Sequence, residues 1–209
     1  MMLPTHALIG LALALPVSVI APEFADIALT AGLLGGILPD LDMYVGHRKT
    51  LHYPVYYSAL ALVAAPVAVL VPTAAMVAAT FLLLGAAVHS VMDVFGGGLE
   101  LRPWEATSSR AVYDHHRGRW LAPRRWIRYD GAPEDLLLSA VIAVPLLLAL
   151  DGVLRAIVAA AVVVAVVYTA VRRLLPTIAE VVITGYLVRT LPDRLLAVLP
   201  ARYGLERGK

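Results

Sequence analysis

The chain has no cysteine, and charged residues fill only 15% of its 209 positions. The first absence removes disulfides and thiolate metal ligands together, so any metal held here must be held by histidine and carboxylate. The second excludes an ordinary soluble domain, because 60% of the residues are hydrophobic where globular chains carry about half. No internal repeat or low-complexity tract stands out. Met1 to Thr5 carries no Lys or Arg and no convincing small-residue cleavage site follows, so the first apolar run is expected to be a mature helix, not a secretory signal.

What is present is apolar sequence in long runs. Stretches at about residues 7 to 21, 27 to 38, 55 to 71, 74 to 92, 136 to 150 and 153 to 171 approach or reach the roughly 17 to 25 residues that span a bilayer. The expectation is an all-α, polytopic helical membrane protein with about six transmembrane helices. The second run is short and carries Gly32, Gly35 and Gly36, which predicts close packing against neighbouring helices or only a partial crossing. Arg102, Arg110, Arg117, Arg119, Arg124, Arg125 and Arg128 crowd the loop between the fourth and fifth runs, which places that loop in the cytoplasm by the positive-inside rule. Alternation then puts His47-Arg48-Lys49 and Arg172-Arg173 inside as well, while the opposite connections carry no basic residue. The chain reads as one membrane domain: helices bearing a candidate site over 1–104, a basic cytoplasmic loop over 105–135, and scaffold helices over 136–209. Segments from Ile178 to Leu191 and from Leu191 to Leu199 are apolar with scattered charges and are expected to be interfacial helices.

All six histidines fall in the first 116 residues. With this topology, His6, Asp40 with Asp42, His52, and His89 with Asp93 sit at four helix ends on the cytoplasmic face. His89 and Asp93 are four apart and project from one helical face, so the pair can bite a single ion; an ionisable pair at membrane depth is costly unless it faces the protein interior and finds partners. Pro39 is expected to end the second helix and present Asp40 and Asp42 from a turn. His47 and His52 are five apart, too far for one helical face but compatible with a loop. His6 follows Thr5, whose hydroxyl is expected to cap the first helix. The candidate metal ligands are therefore His6, Asp40, Asp42, His47, His52, His89 and Asp93. Alone, each also has a bland reading as a helix cap, a turn residue or an interfacial ion pair.

Thr5-His6 with Gly10, the run from Gly35 to Asp42 with its Pro39-Asp40-Leu41-Asp42, His47-Arg48 followed by His52, and His89-Ser90-Val91-Met92-Asp93 with Gly96 to Gly98 together resemble the YdjM family. The resemblance covers about residues 1 to 104 and ends at Leu101 to Trp104. One departure is Leu51 between Thr50 and His52, where the family places Thr directly before the histidine. The resemblance implies an inner-membrane, metal-dependent hydrolase. The pattern is also similar, more distantly, to zinc-dependent phospholipases C and related nucleases, and this analogy supplies phosphoester cleavage as the reaction class.

On that reading one or more divalent ions would lower the pKa of a bound water and polarise a phosphoryl oxygen. Mixed His and carboxylate ligation suits zinc, manganese or iron better than calcium and does not choose among the three; with the similarity to zinc-dependent phospholipases C, zinc is the expected metal over manganese or iron. Asp40 and Arg48 are the candidate catalytic residues beside the metal, Arg48 through a guanidinium that matches phosphate oxygens. The third is His115, from Asp114-His115-His116-Arg117 in the basic loop, as a general acid; that segment reads equally as solvated and charged. Trp104, Trp120, Trp126 and Tyr129 among arginines suit a loop lying on an anionic leaflet, so membrane lipid is the expected environment and possible substrate. Nucleic acid is the less favoured partner. A transporter would place polar groups near the span centres, where this chain has Leu, Ala and Val; a metal-ion transporter and a non-catalytic scaffold are the alternative classes. A phosphatidic-acid phosphatase would need an Arg shortly before His89, and Thr80 to Val88 has none; the His-Glu-x-x-His of gluzincins is also absent.

Overall fold

The computed structural model describes residues 1–182 together with Thr190 and Pro192, and it is mostly helical. The first apolar run forms α1 (Leu3–Ala14) and the single turn α2 (Val17–Ile20), broken at Pro16, whose missing N–H interrupts the ladder. Pro4 sits in the first turn of α1, where no donor is needed. Thr5 therefore lies inside the helix and not at its cap. Its hydroxyl donates to Asp135 Oδ1 at 2.7 Å and lies 2.7 Å from Ser139 Oγ.

The remaining helices are α3 (Ala25–Ile37), α4 (Pro54–Leu70), α5 (Ala74–Met92), α6 (Pro133–Ala149), α7 (Gly152–Val171) and α8 (Leu175–Val182). As expected from Pro39, α3 gives way to a tight 3-10 turn over Leu38–Asp42. Thr73 caps α5 by accepting from the Met76 N–H at 3.3 Å.

Among the described residues, four segments are long and apolar enough to cross a membrane: Leu3–Ile20, Pro22–Asp42, Ala74–Phe95 and Gly152–Val171. α4 and α6 have 17 residues each, a rise of about 25 Å against a hydrocarbon core of about 30 Å, and α6 opens with Glu134 and Asp135. Only 11% of the Gly152–Val171 span is buried, and Val163, Val166 and Val167 point outward. In lipid such exposure carries no hydrophobic cost, so packing geometry and not apolar burial holds these helices together.

That geometry rests on glycine. A Cβ at Gly10 of α1 would run into the Gly32 carbonyl oxygen, one at Gly32 into that of Gly10, and one at Gly36 into that of His6. On the third side, a Cβ at Gly85 of α5 would stand 2.8 Å from the Gly32 oxygen and 2.9 Å from the Gly36 nitrogen. α1, α3 and α5 thus meet backbone to backbone, the close packing expected from the Gly-rich second run. Away from this seam, Leu8, Leu11, Leu29, Val77, Leu146 and Val158 fill the core.

The basic loop contains the one departure from an all-helical chain among the described residues. β1 (Val112–Asp114) and β2 (Arg119–Leu121) pair antiparallel, Tyr113 opposite Trp120. Asp114 turns the chain by accepting from the His116 and Arg117 N–H groups at 3.0 and 3.2 Å, and Gly118 supplies a left-handed φ of +62°. Of the expected C-terminal helices, α8 covers the start of the first segment; residues 183–189, 191 and 193–199 lie outside the described residues.

Candidate metal centre

The glycine seam decides where the first histidines go. With Gly36 against His6, the His6 ring stacks on His89, centroids 3.7 Å apart and planes 15° apart. His89 Nδ1 donates to the Gly36 carbonyl at 2.7 Å, which fixes the ring and leaves Nε2 as the free nitrogen. Nε2 lies 3.5 Å from Asp40 Oδ1 and 3.7 Å from Asp93 Oδ2.

His52 arrives from the loop that follows the 3-10 turn and meets the same two carboxylates. Its Nε2 is 3.3 Å from Asp93 Oδ2 and 3.8 Å from Asp40 Oδ1, while Nδ1 donates to Asp42 Oδ2 at 2.9 Å. Asp40, His52, His89 and Asp93 each offer a ligand atom, and these atoms all lie within 4.8 Å of one another. Both Nε2 atoms are buried without a hydrogen-bond partner. Buried polar atoms are rarely left so, and a metal bound by two imidazoles and two carboxylates would satisfy them. Each imidazole also has its other nitrogen held by an oxygen acceptor, the usual arrangement around a bound metal. The donor set fits zinc, manganese or iron.

The other expected ligands lie around this group. His6 contacts it through Nε2, 3.1 Å from Asp93 Oδ1; the Met1 backbone nitrogen is 2.6 Å from the same oxygen. Asp42 is one layer out. It accepts from His47 Nδ1 at 3.1 Å and the Arg48 N–H at 3.2 Å through Oδ1, and from His52 and the Lys49 and Leu51 N–H groups through Oδ2. Both its oxygens are occupied in shaping the 43–52 loop, and His47 faces Asp42, not the cluster. Burial opposes a charge on His52, but the Asp42 hydrogen bond and the Asp93 carboxylate outweigh burial and raise its pKa above the ordinary value.

Arg48 is buried at a left-handed φ of +58°, a conformation with a cost for any residue bearing a Cβ. The structure around it over-determines that conformation. Its N–H is held by Asp42 and its carbonyl accepts from the Tyr113 N–H at 2.9 Å. Nη1 donates to the Gly97 carbonyl at 2.8 Å, and Nε stands 3.3 Å from Asp93 Oδ2. Burial works against its charge, but Asp93, Asp130, Asp40 and Asp42 more than offset this and keep it a cation.

His115 is held away from the cluster by the hairpin. Its Nε2 donates to the Lys49 carbonyl at 2.6 Å and its ring lies 4.4 Å from that of Tyr53, while Lys49 Nζ sits 4.6 Å over the Tyr113 ring. The hairpin thus clips down the loop that delivers Arg48 and His52. This clip, and the carbonyls of Gly36 and Gly97 that orient His89 and Arg48, carry no signal in the sequence. Main-chain acceptors leave no residue signature, and strands of three residues are too short for a periodic pattern.

A cavity of about 590 Å³ reaches the cluster, with Asp40, His47 and Arg48 at its polar end and α1, α3 and α7 forming its apolar wall. Asp40 is the member of the four that faces it, with its side chain 10% exposed where those of His52 and His89 are fully enclosed. The site is therefore closed toward the protein and open on one side. Comparison with family models, with curated proteins and with solved structures finds no match for this chain.

Proposed function

We propose that the chain is a membrane-embedded metal-dependent hydrolase of the YdjM type, cleaving a phosphoester of a lipid or lipid-linked substrate. The observation that carries this reading is the pair of enclosed Nε2 atoms of His52 and His89, neither with a hydrogen-bond partner, facing the Asp40 and Asp93 carboxylates. These four residues would hold one divalent ion or more, zinc favoured. Such an ion, when bound, supplies a water of lowered pKa and polarises a phosphoryl oxygen.

The chain's own groups fit the rest of that chemistry. Asp40 lines the cavity wall, where it would take a proton from water arriving on that side. Arg48 lines the same wall and is fixed by Gly97, Asp42 and Tyr113, a preorganised cation for phosphate oxygens. Asp42 positions His52 and the loop. The reading includes six spans: α4 and α6 cross beside the four longer segments, and the basic loop and metal centre face the cytoplasm.

The test is hydrolysis by the full chain in proteoliposomes. Zinc- or manganese-dependent release of product from phosphatidylglycerol or from a bis-nitrophenyl phosphodiester, abolished by chelation and by His89→Ala, is the expected result. Metal-loaded protein that cleaves neither substrate but passes the ion across the liposome membrane would replace this reading with a transporter.

A further inference from the structure

The wall of the cavity is not needed to hold a metal. From α3 come Leu33 and Ile37, and from α7 come Ile157, Ala160, Ala161 and Val164. α7 is scarcely buried, and Val164 is 54% exposed, so this wall is continuous with the surface that meets lipid. The volume lies within the roughly 300–1,000 Å³ usual for small-molecule sites. Its polar residues are segregated. Asp40 and Arg48 belong to the candidate metal centre and His47 borders it on Asp42; Glu100, its carboxylate 4.0 Å from Arg125 Nη2, lines the cavity as well; and Asp130 and Arg172 form a bidentate pair at 2.8 and 3.0 Å, with Tyr168 on the same carboxylate. Because Asp130 and Arg172 satisfy each other, that end offers closure and not a second charged site.

We propose that this cavity seats one acyl chain of a membrane phospholipid, entering between α7 and the α1–α3 pair, with the phosphate end directed to Asp40 and Arg48. The occupant must be apolar along α7, because a polar ligand would leave its groups unpaired against Val and Ala. It must also be anionic at the other end, where Arg48 and the proposed metal lie. A phospholipid meets both demands and needs no aqueous path, since the wall opens to its own solvent. The inference rests on the hydrolase reading for the direction of the headgroup, but not for the seating of the tail.

The experiment uses the full chain in nanodiscs with a phosphatidylglycerol carrying a diazirine midway along one tail. Photolabelling is expected to concentrate on the α7 segment 157–164 and on Leu33 and Ile37. It should fall about tenfold in Val164→Trp and Ala160→Trp, whose bulk would occupy the groove. Both positions are exposed in the structure, so neither substitution removes a core contact, and bound metal should remain at the wild-type level. A diazirine fatty acid without the phosphodiester should label this groove weakly. Labelling spread evenly over all outward helix faces, or unchanged by both tryptophans, would overturn the tail site. Fatty acid labelling as strong as the phospholipid's would overturn the headgroup direction. Failure of the hydrolase reading would show separately, as groove labelling in protein that binds no metal.

Discussion

At the scale of single residues, the centre depends on which oxygen each imidazole nitrogen meets. Asp42 does not line the cavity, yet it holds His52 Nδ1 and three loop N–H groups. Loss of such an outer partner lowers metal affinity by about 10- to 100-fold, and that is the loss expected for Asp42→Asn, read by competition against a chromophoric chelator. Proton linkage gives a second readout. The raised pKa of His52 stabilises the metal-free fold below the free imidazole value of about 6.5, a contribution lost as the pH climbs through the higher folded value. Protons therefore compete with metal already above pH 6.5, so affinity should rise with pH through that window. In Asp42→Asn the rise should move to lower pH. His115 gives a contrasting case. It is held on the Lys49 carbonyl and against Tyr53; if its role is to hold the loop, His115→Ala should speed amide exchange over 49–52 and change turnover only a few-fold. A loss near the 10²- to 10⁴-fold typical of a missing general acid would assign it the catalytic role.

At the scale of elements, the seam of α1, α3 and α5 and the site are one construction, because Gly36 both admits His6 and presents its carbonyl to His89. Gly36→Ala should cost metal binding together with thermal stability. Gly152→Ala is the control: its φ is +54° and a Cβ there meets nothing within 4 Å, so melting should reflect only about 1–2 kcal/mol of backbone strain, with metal content unchanged. Much of this level was legible in the sequence. Pro39 did mark the turn, the four-residue spacing did put His89 and Asp93 on one face, and Gly32, Gly35 and Gly36 did announce a close crossing. Asp40 and Asp42 could not be told apart, because residues two apart in a tight turn exchange facing and outward positions with small changes of dihedral angle. The hairpin, and the left-handed Arg48 that it clips in place, arise from tertiary hydrogen bonds that no local pattern encodes. Thr5 was misplaced because Pro4 starts the helix earlier than the hydroxyl suggests.

At the scale of the whole molecule, helix ends from α1, α3 and α5 and the loop entering α4 gather at one end, beside the basic loop. The absence of cysteine makes the proposed orientation directly measurable. With a membrane-impermeant thiol reagent on intact cells, Asp151→Cys should be labelled and Arg117→Cys protected until the membrane is opened; the reverse would invert the topology and move the centre to the opposite face. The central claim is the metal itself. Elemental analysis of purified wild type beside Asp40→Ala and His89→Ala, each shown to be folded, tests it most directly. The account predicts stoichiometric zinc, manganese or iron in wild type and its loss in both variants. Folded wild type that stays metal-free after incubation with zinc and manganese, or variants that keep the wild-type content, would contradict it.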